Sequence, residues 1–152
     1  VHTLEGAGGR LFLESVAADL LALPGRRKGK YLPLALLVPH IGMVAVLHIS
    51  PSLVVDMLEA MRDESVICCA AAQLLDVALK QLRQDLNDPL QAPLLPLGTP
   101  DQSADERWLG FWVGPMLAAL TGDEAKIRTH VAVHALPIPL KQEGPRSLKA
   151  LL

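Results

Sequence analysis

Several side chains in this 152-residue chain have types and spacings that could do chemistry. His130 and His134 stand four apart, an interval that places two imidazoles on one helix face and lets them chelate zinc. Val131, however, sits where an H-E-x-x-H pattern carries its general base, and no third ligand lies nearby, so half-buried packing against a neighbouring helix is expected instead. His40 and His48 straddle a turn with no serine or cysteine nucleophile paired to them in sequence, and they read as structural. Cys68 and Cys69 fall near a helix start, where the dipole could lower a thiol pKa. Cysteine is nonetheless among the most buried residue types, so core packing is expected of both. Neighbours on a helix diverge by about 100°, which makes a mutual disulfide geometrically poor; a reducing compartment, and hence a cytoplasmic location, fits.

Three further groups are candidates for binding rather than catalysis. Gly6-Ala7-Gly8-Gly9-Arg10 precedes a helix as a phosphate-cradling loop would, but it lacks the preceding strand and the Lys-Ser/Thr pair of a P-loop. The turn Arg26-Arg27-Lys28-Gly29-Lys30 could grip an acidic partner, although such charge runs are commonly solvated. Trp108 and Trp112, at i and i+4, put two large aromatics on one helix face; that is core material first and a binding hot spot second. The residues retained as candidate partner contacts are Arg26, Arg27, Lys28, Lys30, Trp108 and Trp112. No catalytic residue, metal site or cofactor site is read from the sequence, and the protein is expected not to be an enzyme.

The elements that must position these residues are helical. Thirty leucines and 19 alanines stand against two Phe, two Trp and one Tyr, and a sandwich or barrel would want far more β-branched and aromatic side chains. An apolar fraction of 51% with a net charge of −2 excludes global disorder. The balance of 14 basic to 16 acidic residues gives nucleic acid no clear electrostatic footprint. Residues 31–55 lack Asp, Glu, Lys and Arg and are long enough to span a bilayer, with a basic flank before them. Pro33, Pro39, Gly42 and Pro51 interrupt that run, so short buried helices are expected in place of a spanning one.

Apolar spacing at three and four predicts helices over 10–23, 31–38, 51–61, 65–83 and 105–120, and a last one from Asp123 through Leu136. Ser50-Pro51 reads as an N-cap with proline at the first helical position, and Asp63 as the N-cap of the long helix. Within that helix Val66, Ile67, Ala70, Ala71, Leu74, Leu75, Ala78, Leu79 and Leu82 form the inward stripe. A turn is expected at 39–42, a kink at Gly114-Pro115, and interference from Pro137 and Pro139. Residues 84–105 hold Pro89, Pro93, Pro96 and Pro100 and read as an inserted loop whose leucines lie across an apolar groove.

A repeat ties these elements together. Met57-Leu58-Glu59-Ala60-Met61 and Met116-Leu117-Ala118-Ala119-Leu120 share M-L-x-A-[ML], each followed by a short turn and then D-E-x-x-I, at Asp63 to Ile67 and Asp123 to Ile127. Subtracting the Pro-rich loop leaves a period of about 40 residues, that of HEAT-type hairpins. The pattern resembles HEAT and armadillo repeats, which implies an all-α fold of stacked antiparallel helix hairpins, an α-solenoid segment, with hairpins near 10–48, 51–83 and 106–140. Around Leu32 to Leu82 the runs P-H-I-G, S-P-S-L-V and D-E-S-V-I-C are similar to the focadhesin family of large cytosolic helical-repeat proteins. That resemblance implies a scaffold that steadies an RNA-surveillance assembly. The expectation is therefore a protein-binding scaffold, a single helical-repeat piece of a larger cytosolic protein, with other proteins as partners and neither nucleic acid, small molecule nor membrane indicated. The alternatives are a membrane-associated helical protein built on residues 31–55, or an enzyme whose site assembles only in the fold.

Overall fold

The computed structural model describes residues 7–24, 28–62 and 65–143, and the described residues hold helices and no strands. Helix α1 (Ala7–Leu21) is followed by a 3-10 turn (Lys28–Lys30), α2 (Tyr31–Ile49), α3 (Leu53–Ala60) and α4 (Ser65–Leu86). After a Pro-rich connection with one 3-10 turn (Ala92–Leu94) come α5 (Ala104–Thr121), α6 (Ala125–His130), a π-helical turn (Val131–Ala135) and α7 (Pro137–Glu143).

The packing order is that of stacked hairpins. α1 lies on α2, α3 on α4, and α5 on α6 and the π turn. Between hairpins, α3 packs on α5 in one layer, while α2 packs on α4, and α4 on the π turn and α7, in the other. α2, α3, α4 and α5 thus each pack both on their hairpin partner and on a neighbouring hairpin, the arrangement by which repeat proteins build a continuous core from units that cannot bury their own faces. Burial matches at two positions of the internal repeat, Met57 with Met116 and Ile67 with Ile127, and differs at another, where Leu58 is buried and Leu117 is exposed.

α2 is long and apolar enough to cross a membrane. Its side chains at Tyr31, Leu34, Ala35, Val38, Ile41, Met43, Val46 and Leu47 are buried, and α1 and α4 are what it packs on. These eight side chains turn into the stack, while Leu32, Leu36 and Ile49 on the same helix stay exposed. The turn expected at 39–42 shrinks to a single residue: the helix runs through Pro39 and breaks only at Gly42, with φ 81° and ψ 162°. That backbone region is essentially closed to residues with a Cβ. A Cβ at Gly42 would meet nothing nearer than 3.5 Å, so the obstacle to substitution is the backbone itself. Gly42→Ala is expected to cost about 2 kcal/mol, read as a lowered melting temperature in thermal unfolding followed by circular dichroism.

Other expectations shift with identifiable causes. α3 starts at Leu53 and not at Pro51, because Ser50 precedes a proline, is held extended at φ −136°, and gives its N–H to Val46 O at 2.9 Å as the cap of α2. Ser52 instead donates through Oγ to Asp56 at 3.0 Å. In α4, Val66 points outward at 62% exposure, Ile67 is half-buried, and Cys68 takes the inward place; Ala70, Ala71, Leu74, Leu75, Ala78, Leu79 and Leu82 are buried as expected. Cys69, expected in the core, is exposed. α5 passes Gly114-Pro115 without a break, and its start carries a capping box: Ser103 Oγ accepts from Glu106 N–H, and Glu106 Oε1 from Ser103 N–H, both at 3.1 Å. Pro137 and Pro139 do not stop the last helix. The π turn widens the backbone before them, with Leu136 N–H reaching Val131 O at 2.8 Å, so the helix resumes at Pro137 with Pro139 buried. The expected N-cap Asp63 lies outside the described residues.

The connection after α4 is a strap and not a free loop. Leu95 is buried and Leu97 packs against the core, while Leu90 and Leu94 remain exposed. Arg107 of α5 fixes it by donating Nε to Leu97 O at 3.0 Å and Nη2 to Leu95 O at 3.2 Å.

Candidate functional site

The candidate contact residues are dispersed by the fold. Arg26 and Arg27 lie outside the described residues, as does the side chain of Lys28. Lys30 is buried, and its Nζ donates to Leu21 O at 3.2 Å and Leu23 O at 3.0 Å. It therefore closes the C-terminal end of α1, where a cation meets the negative end of the helix dipole. Trp108 and Trp112 are both at zero exposure, edge to face at 5.8 Å between centroids, so as folded neither ring offers surface to a partner. They belong to the seam between α4 and α5: Trp108 Nε1 donates to Leu79 O at 2.9 Å, and the Arg83 guanidinium lies 4.2 Å over its ring.

The residues with chemical capacity are likewise engaged structurally. The rings of His130 and His134 meet edge to face, 6.0 Å between centroids. The His130 Nδ1–H donates to Met61 O, and the buried Cys68 thiol donates to the same carbonyl at 3.1 Å. Both thus serve the end of α3, where helix carbonyls run out of intrahelical donors. Among the described residues no group of three His, Cys, Asp or Glu is placed to hold a metal ion. His48 donates to Val44 O at 2.7 Å within its own helix, and His40 is exposed. Of the Gly-rich lead, Ala7 to Arg10 already form the first turn of α1; Arg10 Nη2 donates to Ile41 O at 2.6 Å.

That last contact belongs to a junction not foreseen from the sequence. The break at Gly42 removes Ile41 O and Met43 N–H from the regular helical ladder. Arg10 of α1 takes the carbonyl, and Asp85 of α4, only 6% exposed, takes the amide through Oδ2 at 2.7 Å. Gln81 Nε2 donates to Asp85 Oδ1 at 3.0 Å. Three helices are joined by one polar knot, buried at Asp85 and open to solvent at Arg10, in which both sides of the break are satisfied. The available signal was phase: Asp85 continues the spacing of Ala78 and Leu82 and so points inward.

The second unforeseen feature is a groove of about 240 Å³ between α3 and the corner joining α5 to α6. Val55, Leu58, Pro115, Ala118 and Ile127 form its apolar floor, and Glu59, Asp123 and Glu124 stand on its rim. The corner is braced by Arg62 to Glu124 at 3.1 Å and by Arg128 Nη1 donating to Gly122 O at 2.6 Å. Its sequence signal was the M-L-x-A repeat, which sets small residues of α5 opposite α3.

No family model and no solved structure matches the chain. Among curated proteins it is similar to three that bear the name tRNA (32-2'-O)-methyltransferase regulator THADA. The identity is 30% over 148 residues with the mouse protein, covering 96% of this chain. It is 28% over 141 residues with both the human and the Chlorocebus aethiops proteins, covering 93%. The chain spans 7% of the length of each of these relatives. They are named for regulating a methyltransferase and not as enzymes, and they are not named focadhesin.

Proposed function

We propose that this chain is a non-catalytic, helical-repeat scaffold segment that binds other proteins as part of the regulation of a tRNA 2'-O-methyltransferase. The observation that carries the reading is the similarity over 93% or more of the chain to proteins named as regulators of such an enzyme. The stacked architecture supports it, because a hairpin array offers long, rigid faces to partners. The roles of the reactive side chains support it as well: the imidazole of His130, the thiol of Cys68 and the ammonium of Lys30 each complete a helix end. Two free thiols, Cys68 and Cys69, favour a reducing compartment such as the cytoplasm.

The test is tagged expression of the full protein containing this chain, purification with crosslinking, and measurement of 2'-O-methylation at tRNA nucleotide 32 after its depletion. The expected result is recovery of a methyltransferase and a fall in methylation at that nucleotide. Unchanged methylation with no methyltransferase recovered would overturn the proposal. An RNA-surveillance assembly recovered in its place would favour the focadhesin-like reading.

A further inference from the structure

We propose that the groove between α3 and the α5–α6 corner receives a basic peptide segment of a partner protein, one aliphatic side chain in the cleft with Lys or Arg against the rim. This narrows the scaffold reading to one surface and one chemistry, and rests on that reading. The floor is built for an apolar side chain. Pro115 and Ala118 on α5 leave a space that larger residues would have filled, and Val55 lines it at 42% exposure. Gly122 keeps the corner tight, since a Cβ there would come within 3.2 Å of Ala118 O.

The rim selects the flanks. The charged residues that line the groove are Glu59, Asp123 and Glu124, all acidic and all exposed. Arg62 pairs with Glu124 and Arg128 stands at the same corner on Gly122 O, so two cations face three carboxylates and the mouth keeps a small negative excess, carried by Glu59 and Asp123. Phosphate-bearing nucleic acid would be repelled at such a mouth, and a purely apolar ligand would leave the charges unused. A segment that alternates basic and aliphatic residues satisfies both, with the floor supplying affinity and the rim supplying selection and orientation. The cleft is also set for recognition without rearrangement, because the Arg62 and Arg128 contacts fix the corner that forms its wall.

The experiment titrates the purified full chain into a dye-labelled peptide, Lys-Arg-Leu-Leu-Lys-Arg, by fluorescence anisotropy. Saturable binding that weakens with salt is expected. Ala118→Trp, an exposed position that fills the cleft, and the double charge reversal Glu59→Lys with Asp123→Lys should each weaken it by about tenfold or more. Changing both peptide leucines to serine should do the same. Circular dichroism melts confirm that the variants remain folded; if Ala118→Trp does not fold, Ala118→Leu and the serine peptide make the same comparison. No binding, or binding indifferent to the cleft-filling variant and to the serine peptide, overturns the proposal, the latter meaning diffuse attraction to carboxylates. Association with the methyltransferase is scored separately on the unaltered protein, so its persistence without peptide binding removes the groove and leaves the scaffold.

Discussion

Trp108→Ala is expected to lower the stability of the chain by about 4 kcal/mol, the range found when a fully buried aromatic is truncated. At about 2 to 4 °C per kcal/mol for a chain of this size, the melting temperature should fall by about 12 °C. The indole is at zero exposure and makes three kinds of contact that alanine cannot: the edge-to-face pair with Trp112, the bond from Nε1 to Leu79 O, and the stack under Arg83. Arg83 is itself a hub, pairing with Asp105 of α5 at 2.5 Å and with Glu143 of α7. Loss of the ring it rests on therefore loosens α4 from two other helices at once. Trp108→Phe separates the contributions, since it keeps most of the apolar area and removes the hydrogen bond, for about 1 to 2 kcal/mol. Urea unfolding followed by circular dichroism measures both. A Trp108→Ala variant within 1 kcal/mol of the parent would refute the account of the seam.

Asp85→Ala should cost about 3 kcal/mol, at the top of the range for leaving a buried polar group unmatched. Two donors lose their acceptor together, Met43 N–H and Gln81 Nε2. Met43 N–H has no substitute, because φ 81° and ψ 162° at Gly42 turn it away from Pro39 O, the carbonyl a continuous helix would offer. Arg10, whose Nη2 lies within 4.0 Å of the position a Cβ on Gly42 would occupy, would also lose the anion that faces the same residue. Asp85→Asn keeps an acceptor for only one of the two donors, so about half the loss is expected. Equal stability of the alanine and asparagine variants in the same urea titrations would show that the bond to Met43 is not what holds the break.

What the sequence disclosed and what it hid divide along physical lines. The stripes of α3 and α4 were legible because burial is periodic. Leu53, Val54, Met57, Leu58 and Met61 all lie inside, as do the seven apolar positions from Ala70 to Leu82. Residues at the ends of helices were harder, since capping depends on a few dihedral angles: Ser50-Pro51 looked like a start and instead closes α2. Lys30 was weighed as a contact by type, which does not say which way a side chain turns, whereas the core placement expected first of the two tryptophans is where they lie. The proline sites expected to break helices were all absorbed: at Pro39 and Pro115 because an existing helix can forgo one hydrogen bond, and at Pro137 and Pro139 through the π turn before them. The knot at Asp85 was half legible: its phase with Ala78 and Leu82 turns the carboxylate inward, but Met43, which it bonds, and Arg10 across the break come from other helices, and long-range polar pairing leaves no local spacing in the chain.

The π-helical turn at Val131–Ala135 carries a consequence for how the chain's pattern is laid out. An ordinary helix advances about 100° per residue, so one extra residue in a turn rotates everything downstream by that angle. Residues before and after 131–135 therefore belong to two differently phased stripes on what is nearly one rod. Ile127 and Val131 keep the first phase; Pro139 and Gln142 belong to the second, which is how Gln142 comes to meet Asp76 of α4 at 2.8 Å. The stack thus changes thread within its last hairpin, and the face α7 presents is offset from the one a constant period would assign to it.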